Sequence, residues 1–513
     1  MLRTVRLRRL LAIVILAQCA GIGPARGQAR DTVASLRTRY NTVKTQAKAE
    51  GELKRRLDAL DEAILRAARL GRTGALRHLY TEGITLASGR AWTAELDFAG
   101  SLALRTDRVF VDPSGPFGVR LEQIYVPSLD LAEPPSMRVS LHKPGSTATQ
   151  PGEKLKDAGT FDNVSRDLID NPFRFDVDLS GIPDGRIIVR AEVLDGSRSL
   201  GAATLAIEAR KGLDARLRRL ESESNQAKSF DFLRGEVLYP LDYVRNVDRG
   251  RVAIGQFNVD RELTMAESVL ASIKAGQDPF MGRTGDFKRH YLLDEAAEIM
   301  PYRVFVPAAY KGDRAFPLII ALHGNGGTEN TFFDGFESQV PRLAEERGYI
   351  VAAPLGYRVD GGYGYNNGSR PAEDMRKLQL SEKDVLQVLN LMKRQYRIDE
   401  NRMYLAGHSM GGFGSWYLGA RYSQIWAALA PFAGGGDSAT MSQMKDVPQF
   451  VVHGDADATV SVERSRTMVA EMKRLGVEHV YIEVPGGTHG NIVAPNVRAM
   501  FDFFDRHRKA QSN

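Results

Sequence analysis

Three patterns of apolar and polar positions follow one another along the 513-residue chain, and each predicts a different kind of structure. From residue 31 to about residue 89, apolar residues recur at helical spacing in a segment rich in Ala, Leu, Arg, Glu and Lys. From about residue 92, short alternating runs are separated by Pro, Gly, Asp and Ser turns, as in a β-sandwich. Helical composition returns from residue 210 to about residue 276.

The pattern changes again near residue 287, where short apolar strands begin to alternate with helical segments. The predicted strands are 302–306, 318–322, 350–353, 403–406, 427–430, 449–452 and 480–484. The main predicted helices are 382–396, 462–475 and 493–507. This alternation predicts a doubly wound α/β domain with a largely parallel sheet, in which ligands bind at the C-terminal ends of the strands.

The length of the chain exceeds the usual size of one domain, so we expect several structural parts. Hydrophobic residues make up 43% of the chain and charged residues 26%, which is typical of a globular protein. The predicted parts are a signal peptide at 1–29, a helical segment at 30–90, a β-sandwich-like domain at 91–210, a helical linker segment at 211–284 and the α/β domain at 285–513.

The first 29 residues have the composition of a targeting signal. Basic residues come first, and an apolar run at 10–17 follows that is too short to cross a bilayer as a helix. Gly27-Gln28-Ala29 then supplies small residues on either side of a cleavage site. The segment is therefore predicted to be a secretory signal peptide, and the protein to be secreted or periplasmic, with no membrane span.

The single cysteine of the chain, Cys19, lies inside this segment. Cleavage after Ala29 would leave a mature chain without thiols, which excludes disulfides and a thiol nucleophile. Lipid anchoring at Cys19 is the less favoured alternative, because Gln18 stands where a bacterial lipoprotein signal normally has Gly or Ala. Removing the five arginines of the segment, which has no acidic residue, lowers the formal charge from +6 to +1. The charge therefore gives no reason to expect a nucleic-acid partner.

A candidate nucleophile, Ser409, lies in the sequence Gly407-His408-Ser409-Met410-Gly411. With 49 glycines in the chain, a chance G-x-S-x-G is common, so the flanking residues decide its meaning. A predicted strand precedes it and a predicted helix follows it. Glycines on both sides would let the chain turn sharply and expose the serine hydroxyl above the sheet.

Candidate partners for this serine follow the next predicted strands. The segment QFVVHGDADATV places Asp455 and Asp457 after one strand, and VYIEVPGGTHGN places His489 after the next. The order Ser, Asp, His is that of an α/β-hydrolase triad. In this interpretation His489 takes the serine proton and Asp457 orients the imidazole, with Asp455 as the alternative acid.

Two loops complete the predicted site, one rich in glycine and the other rich in aromatic residues. The strand LIIALHGNGG ends in a loop whose backbone N–H groups, at Gly324 or Asn325, would stabilise an oxyanion together with the N–H of Met410. Tyr357, Tyr363 and Tyr365 belong to a loop that is either flexible surface or the wall of an acyl or aromatic pocket.

No metal or organic cofactor is predicted. His323 and His453 each follow a strand, but neither an H-x-x-x-H pattern nor paired carboxylates accompany them. We therefore predict that these two histidines make structural hydrogen bonds.

The segments PYRVFVPAAY, PLIIALHGNGG, GHSMGGFGSWYLGARY and VVHGDADATV resemble secreted α/β-hydrolases of the polyhydroxybutyrate-depolymerase/feruloyl-esterase and prolyl-oligopeptidase-like esterase groups. The resemblance covers about the last 225 residues and implies a serine hydrolase with Ser409, Asp457 and His489 at the triad positions. It leaves plant cell-wall esters, polyesters and peptides open as substrates. A prolyl oligopeptidase would normally carry a β-propeller, and the region before residue 280 is too short and too helical for one.

The sequence therefore favours an exported serine hydrolase that acts on a small-molecule or polymer-linked ester. A peptidase with the same triad is the alternative within enzymes. The alternative that is not an enzyme is a binding or assembly protein, in which the hydrolase domain is only a scaffold. The oligomeric state stays open.

Overall fold

A computed structural model describes residues 32–147, 149–225, 228–252, 257–366, 368, 371 and 374–509. The predicted signal peptide at 1–29, with Cys19, lies outside these residues. The described residues divide into two compact units. One comprises the described parts of 32–219 and 240–263, and the other those of 220–239 and 264–509.

The first unit opens with helices. Helices α1 to α4 are Val33–Ala47, Gly51–Arg69, Thr73–Ala87 and Ala94–Ser101. The Thr32 hydroxyl caps α1 by accepting from the Ser35 N–H at 3.1 Å, which satisfies one of the N–H groups that a helix start leaves open. Helix α2 buries one apolar stripe at the spacing of a helix face, formed by Leu57, Leu60, Ile64 and Ala67.

Two sheets follow in the same unit. Strands β1 to β8 are Leu102–Arg105, Phe110–Val111, Phe117–Gln123, Ser136–Pro144, Pro151–Phe161, Phe173–Val177, Gly185–Asp195 and Arg198–Ala209. Among the described residues, one sheet has the order β1-β3-β6 and the other the order β2-β8-β7-β4-β5. Residues of both sheets contribute to one apolar core, to which β3 adds Val119 and Leu121 and β7 adds Val189 and Ala191.

The segment predicted as a single helical linker at 211–284 does not form a unit of its own. Its helices are α5, Leu213–Ser224, α6, Arg234–Asp248, and α7, Val259–Lys274. Its described residues divide between the two units.

The second unit is built on a mixed, mostly parallel sheet. Strands β9 to β16 are Gly285–Leu293, Glu298–Val306, Phe316–Leu322, Ile350–Pro354, Ile398–His408, Ala428–Phe432, Gln449–Gly454 and His479–Val484. Within the described residues their order is β16-β15-β14-β13-β11-β12-β10-β9. Strands β11 to β16 pair in parallel, and β10 is antiparallel to both of its neighbours. The α/β fold class predicted for the C-terminal part is confirmed.

Helices cover both faces of this sheet. Helices α8 to α13 are Thr331–Asp334, Gln339–Arg347, Met375–Gln395, Met410–Arg421, Glu463–Leu475 and Val493–Arg506. Residues of α10, α11 and α12 belong to the apolar core on one face, and residues of α8, α9 and α13 to the core on the other. None of the helices in the described part of the chain has the length and apolar character that crossing a bilayer requires.

A buried ion pair fastens α6 to strand β9 within the second unit. Glu236 Oε1 accepts a hydrogen bond from Arg289 Nε at 2.5 Å and another from the His290 N–H at 2.9 Å. The guanidinium of Arg289 also lies 3.5 Å from the centre of the Phe280 ring. Burial acts to raise the pKa of Glu236, but the nearby Arg289 and His290 outweigh it and hold the pKa below its usual value.

Removal of Glu236 would leave Arg289 charged and buried, with a hydrogen bond to Gln395 but no carboxylate partner. We therefore expect Glu236→Ala to lower the free energy of unfolding of the second unit by about 3–5 kcal/mol. Glu223→Ala is the matched control, because its partner Lys274 is half exposed, and it should cost about 0–1 kcal/mol. Urea unfolding followed by fluorescence of Trp416 and Trp426, in a Trp92→Phe background, measures both. Equal losses in the two variants would contradict a special role for the buried pair.

Candidate active site

The candidate site lies where the strand order of the second unit reverses. Strand β12 follows β11 along the chain and pairs on one side of it, whereas the next strand, β13, pairs on the other side. In open α/β sheets, ligands bind at such a switch point, outside the C-terminal ends of the strands. Strand β11 ends at Leu322 and β13 ends at His408, one residue before Ser409.

Ser409 occupies a sharp and strained turn between β13 and α11. Its φ is 57° and its ψ is −118°, a backbone conformation that residues other than glycine rarely adopt. A Cβ at Gly407 would collide with the Gly411 carbonyl oxygen, and a Cβ at Gly411 would collide with the Leu322 carbonyl oxygen. These two positions need glycine, because the start of α11 packs directly on the ends of both strands.

The side chains of Ser409, His489 and Asp457 form one hydrogen-bonded chain. Nε2 of His489 lies 2.8 Å from Ser409 Oγ, and Nδ1 of His489 lies 2.7 Å from Asp457 Oδ2. Each residue comes from the loop at the C-terminal end of a different strand, β13, β16 and β15 respectively. The structure therefore brings together the three residues that the sequence singled out.

The surroundings of Asp457 keep its carboxyl ionised. Its side chain is fully buried, and Oδ1 accepts hydrogen bonds from the N–H groups of Thr459 and Val460 at 2.8 and 2.9 Å. Burial acts to raise the pKa of Asp457, but the hydrogen bonds from His489 and these N–H groups outweigh it and hold the pKa below its usual value. An ionised Asp457 requires the proton of His489 on Nδ1, so Nε2 is left to accept the proton of Ser409.

Asp455, the alternative acid, has a different role in the loop. Its Oδ1 accepts a hydrogen bond from the Gly486 N–H at 2.7 Å, and the residue is exposed. Asp455 therefore ties the loop after β15 to the turn after β16, whereas Asp457 contacts the imidazole.

His453 is a second partner of Asp457 that the sequence interpretation missed. Its Nε2 lies 3.3 Å from Asp457 Oδ2 and 3.0 Å from the Val460 carbonyl oxygen, and its Nδ1 lies 2.7 Å from Ser465 Oγ. Burial lowers the pKa of His453 and outweighs the opposing effects of its acceptors, so the ring is neutral. Because Nε2 faces two acceptors, it carries the proton, and the Ser465 hydroxyl donates to Nδ1.

His408, directly before Ser409, contacts the backbone of His489. Its Nε2 lies 2.7 Å from the His489 carbonyl oxygen, and the two imidazole rings are 4.8 Å apart between centroids. Burial lowers the pKa of His408 to about 4, so its ring is neutral at pH 7. The neutral ring donates Nε2–H to the carbonyl and holds the loop that carries His489.

The predicted oxyanion donors lie beside Ser409. Met410 is the first residue of α11, where a backbone N–H has no acceptor within its own helix. A Cβ at Gly324 would lie 3.2 Å from Ser409 Cβ, so the loop after β11 approaches the nucleophile closely. Asn325 is the exposed next residue. Met410 and Gly324 are therefore close to the place where a tetrahedral intermediate on Ser409 would develop negative charge.

His323 holds this loop by hydrogen bonds. Its Nε2 lies 2.7 Å from the Leu355 carbonyl oxygen and its Nδ1 lies 2.7 Å from the Gly324 carbonyl oxygen. Within the described ranges, no group of three or more His, Cys, Asp or Glu side chains is arranged to hold a metal ion.

The three tyrosines of the aromatic loop have separate environments. Tyr363 is fully buried and donates its hydroxyl to the His323 carbonyl at 3.3 Å, so its ring supports the loop and does not face open solvent. The half-buried Tyr365 faces the ring of Phe413, with 5.1 Å between centroids. Tyr357 is also half-buried, and the guanidinium of Arg358 covers its ring at 3.9 Å.

A buried carboxyl anchors the same loop. Asp384 Oδ2 accepts from the Tyr357 N–H at 2.7 Å, and its Oδ1 accepts from the Tyr291 hydroxyl at 2.5 Å. Burial raises the pKa of Asp384 to about 6, and the hydrogen bonds oppose this rise. The first residues of the aromatic loop are thus tied to helix α10.

Comparisons with known proteins agree with this architecture. Residues 296–470 match the family Esterase, described as "Putative esterase". The second unit thus has an α/β fold and is similar to esterases over residues 296–470.

Three relatives illustrate the range of this similarity. A bifunctional acetylxylan esterase/xylanase of Neocallimastix patriciarum is 28% identical over 29% of this chain and 20% of its own length. A feruloyl esterase B of Neurospora crassa is 27% identical over 23% of this chain and 38% of its own. A dipeptidyl-peptidase 5 of Porphyromonas gingivalis is 31% identical over 26% of this chain and 19% of its own. The chain thus spans between about a fifth and two fifths of the length of these relatives.

The different contacts of the two aspartates give a direct test of the site. We expect Asp457→Asn to slow the labelling of Ser409 by a fluorophosphonate about 10⁴-fold, because the asparagine amide favours the wrong tautomer of His489. Asp455→Asn should change the labelling rate by less than about threefold, since its carboxylate does not touch the imidazole. Time-resolved mass spectrometry of the labelled protein measures the rate. A larger loss in the Asp455 variant would assign the acid to that residue instead.

Proposed function

We propose that the protein is an exported serine hydrolase that cleaves carboxylic esters through an acyl-enzyme. The observation that carries the proposal is the hydrogen-bonded chain from Ser409 Oγ through His489 to the buried Asp457 carboxylate. The match of residues 296–470 to an esterase family supports the same chemistry.

In the proposed mechanism, Ser409 Oγ attacks the ester carbonyl carbon while His489 Nε2 takes the hydroxyl proton. Asp457 stabilises the imidazolium that forms. The carbonyl oxygen becomes an oxyanion that accepts hydrogen bonds from the N–H of Met410 and from that of Gly324 or Asn325.

Collapse of this intermediate breaks the bond to the alcohol, which leaves with the proton from His489. Water then attacks the acyl-enzyme, gives its proton to His489 and releases the carboxylic acid. The steps need no metal or organic cofactor.

The proposed substrate is a small-molecule or polymer-linked ester. Acetylxylan and feruloyl esterases among the relatives favour acyl groups carried by a carbohydrate. The rival is a peptidase with the same triad, which the similarity to a dipeptidyl-peptidase 5 favours. Ester and amide transfer use the same geometry, so the substrate has to be decided by measurement.

The mechanism predicts that Ser409→Ala abolishes both turnover and fluorophosphonate labelling, because no other group forms the acyl-enzyme. Ser442→Ala, at an exposed serine of the same unit, is the matched control and should retain both. Initial rates on acetyl and feruloyl esters and on aminoacyl amides, measured with the mature protein, test the proposal.

The outcomes separate the three hypotheses. Turnover of esters that is lost in Ser409→Ala supports the esterase. Turnover of the amides alone would replace it with the peptidase. Absence of both labelling and turnover in the wild-type protein would favour a binding or assembly protein.

A further inference from the structure

Three arginines stand directly opposite one another on the three-stranded sheet of the first unit. Arg105 of β1 pairs with Arg120 of β3, and Arg120 pairs with Arg174 of β6. Directly opposed residues on one face have Cβ atoms about 4.5–5.5 Å apart, and like charges in such positions destabilise a sheet. The arrangement therefore needs negative charge, from the protein or from a ligand.

The arginine row lies on the outer face of the sheet. Along β3 the residues alternate, with Val119 and Leu121 buried in the core and Gly118, Arg120 and Glu122 on the other side. The side chains of Arg105 and Arg120 are 11% and 28% exposed, and Arg174 is exposed as well.

Glu122 contacts two of these guanidinium groups. Glu122 Oε1 lies 2.8 Å from Arg105 Nε, and Glu122 Oε2 lies 3.2 Å from Arg120 Nε. Among the described residues, no ion pair or hydrogen bond joins the guanidinium of Arg174 to a carboxylate. Its planar set of N–H donors suits bidentate binding of a carboxylate.

A cavity of about 280 Å³ lies over the same face and is lined by Arg105, Arg120 and Arg174 together with Asp107 and Asp176. We call it the arginine groove. Its size is near the lower end of the range of small-ligand sites, about 300–1,000 Å³. Gly118, which is opposite Asp176 in the sheet, also lines it, and the missing side chain there leaves room between the charged groups.

The mixture of positive and negative side chains restricts the kind of ligand that the arginine groove can bind. Asp107 and Asp176 would repel any anion, and a compact inorganic anion such as sulfate offers them no hydrogen-bond donor in return. A sugar acid offers a carboxylate to the guanidinium groups and hydroxyl donors to the two aspartates. A neutral sugar would leave the charge of Arg174 without a partner.

We propose that the arginine groove binds a uronic-acid unit, with its carboxylate on Arg174 and Arg120 and its hydroxyl groups on Asp107 and Asp176. The groove would then be a carbohydrate-binding site for acidic sugars in the non-hydrolase unit. Its residues all belong to the first unit, so the inference does not depend on the proposed ester hydrolysis.

Calorimetric titration of the mature Ser409→Ala protein tests this, since that variant would not hydrolyse an esterified ligand. The probes are galacturonic acid, its trimer, the fully methyl-esterified trimer, a neutral glucose trimer and inorganic sulfate. We expect saturable binding of galacturonic acid or its trimer that weakens with added salt. Binding of the methyl ester and of the neutral trimer should be at least tenfold weaker. Comparison of the monomer with the trimer distinguishes a free sugar acid from a polymer as the source of the ligand.

Arg174→Gln should weaken binding of the uronate at least tenfold. Because Arg174 is exposed, we expect this variant to fold normally. The matched control is Arg198→Gln, which removes an exposed arginine of β8 in the same unit. Circular dichroism checks that both variants are folded. The proposal is overturned if neither uronate binds saturably at millimolar concentration, if the methyl ester or sulfate binds as well as the uronate, or if both variants weaken binding equally.

Discussion

The close packing of backbone at Gly407 and Gly411 is the constraint on which the candidate site depends. Helix α11 starts against the Leu322 carbonyl, nearer than any Cβ would allow. This packing holds Ser409 at positive φ, a strain of about 1–3 kcal/mol that the surrounding structure must offset. Part of that support comes from Trp416 on the same helix, which is buried and donates its indole N–H to Gln449 at 2.7 Å. The nucleophile is thus placed by main-chain geometry before any side-chain contact is considered.

His489 and Asp457, the proposed base and acid, are held by hydrogen bonds from residues that have no part in the proposed reaction. Asp457 is supported by His453, whose Nδ1 accepts a hydrogen bond from Ser465, and the His489 loop is supported by His408. A buried carboxylate is costly unless its oxygens have partners. Here those partners also fix the direction in which the proton of Ser409 can move. The supporting residues therefore contribute to preorganisation, because the imidazole needs little rearrangement before it can act as a base.

Sequence patterns predicted this fold and site wherever burial was continuous. Four of the seven predicted strands of the second unit are wholly apolar, and the other three contain one polar residue each. Ser409, Asp457 and His489 follow strands in the chain order typical of the fold. Strand β9 was missed because charged and polar residues interrupt its sequence, GDFKRHYLL, and β13 starts earlier than predicted because its first residues, IDENR, are mostly polar. The burial of Tyr363 and the contact of His453 with Asp457 depend on tertiary packing, which no local period encodes.

The register of the sheets adds information that residue spacing does not contain. Arg105, Arg120 and Arg174 are separated by stretches of unequal length, and their alignment follows only from the pairing of β1, β3 and β6. Because side chains alternate between faces, a shift of one residue in β3 would turn Arg120 into the apolar core and Leu121 to the surface. The core thus fixes the register, and the register in turn fixes the charged face. Hydrophobic burial in the first unit therefore determines which polar groups meet, although none of those polar groups contributes to the core.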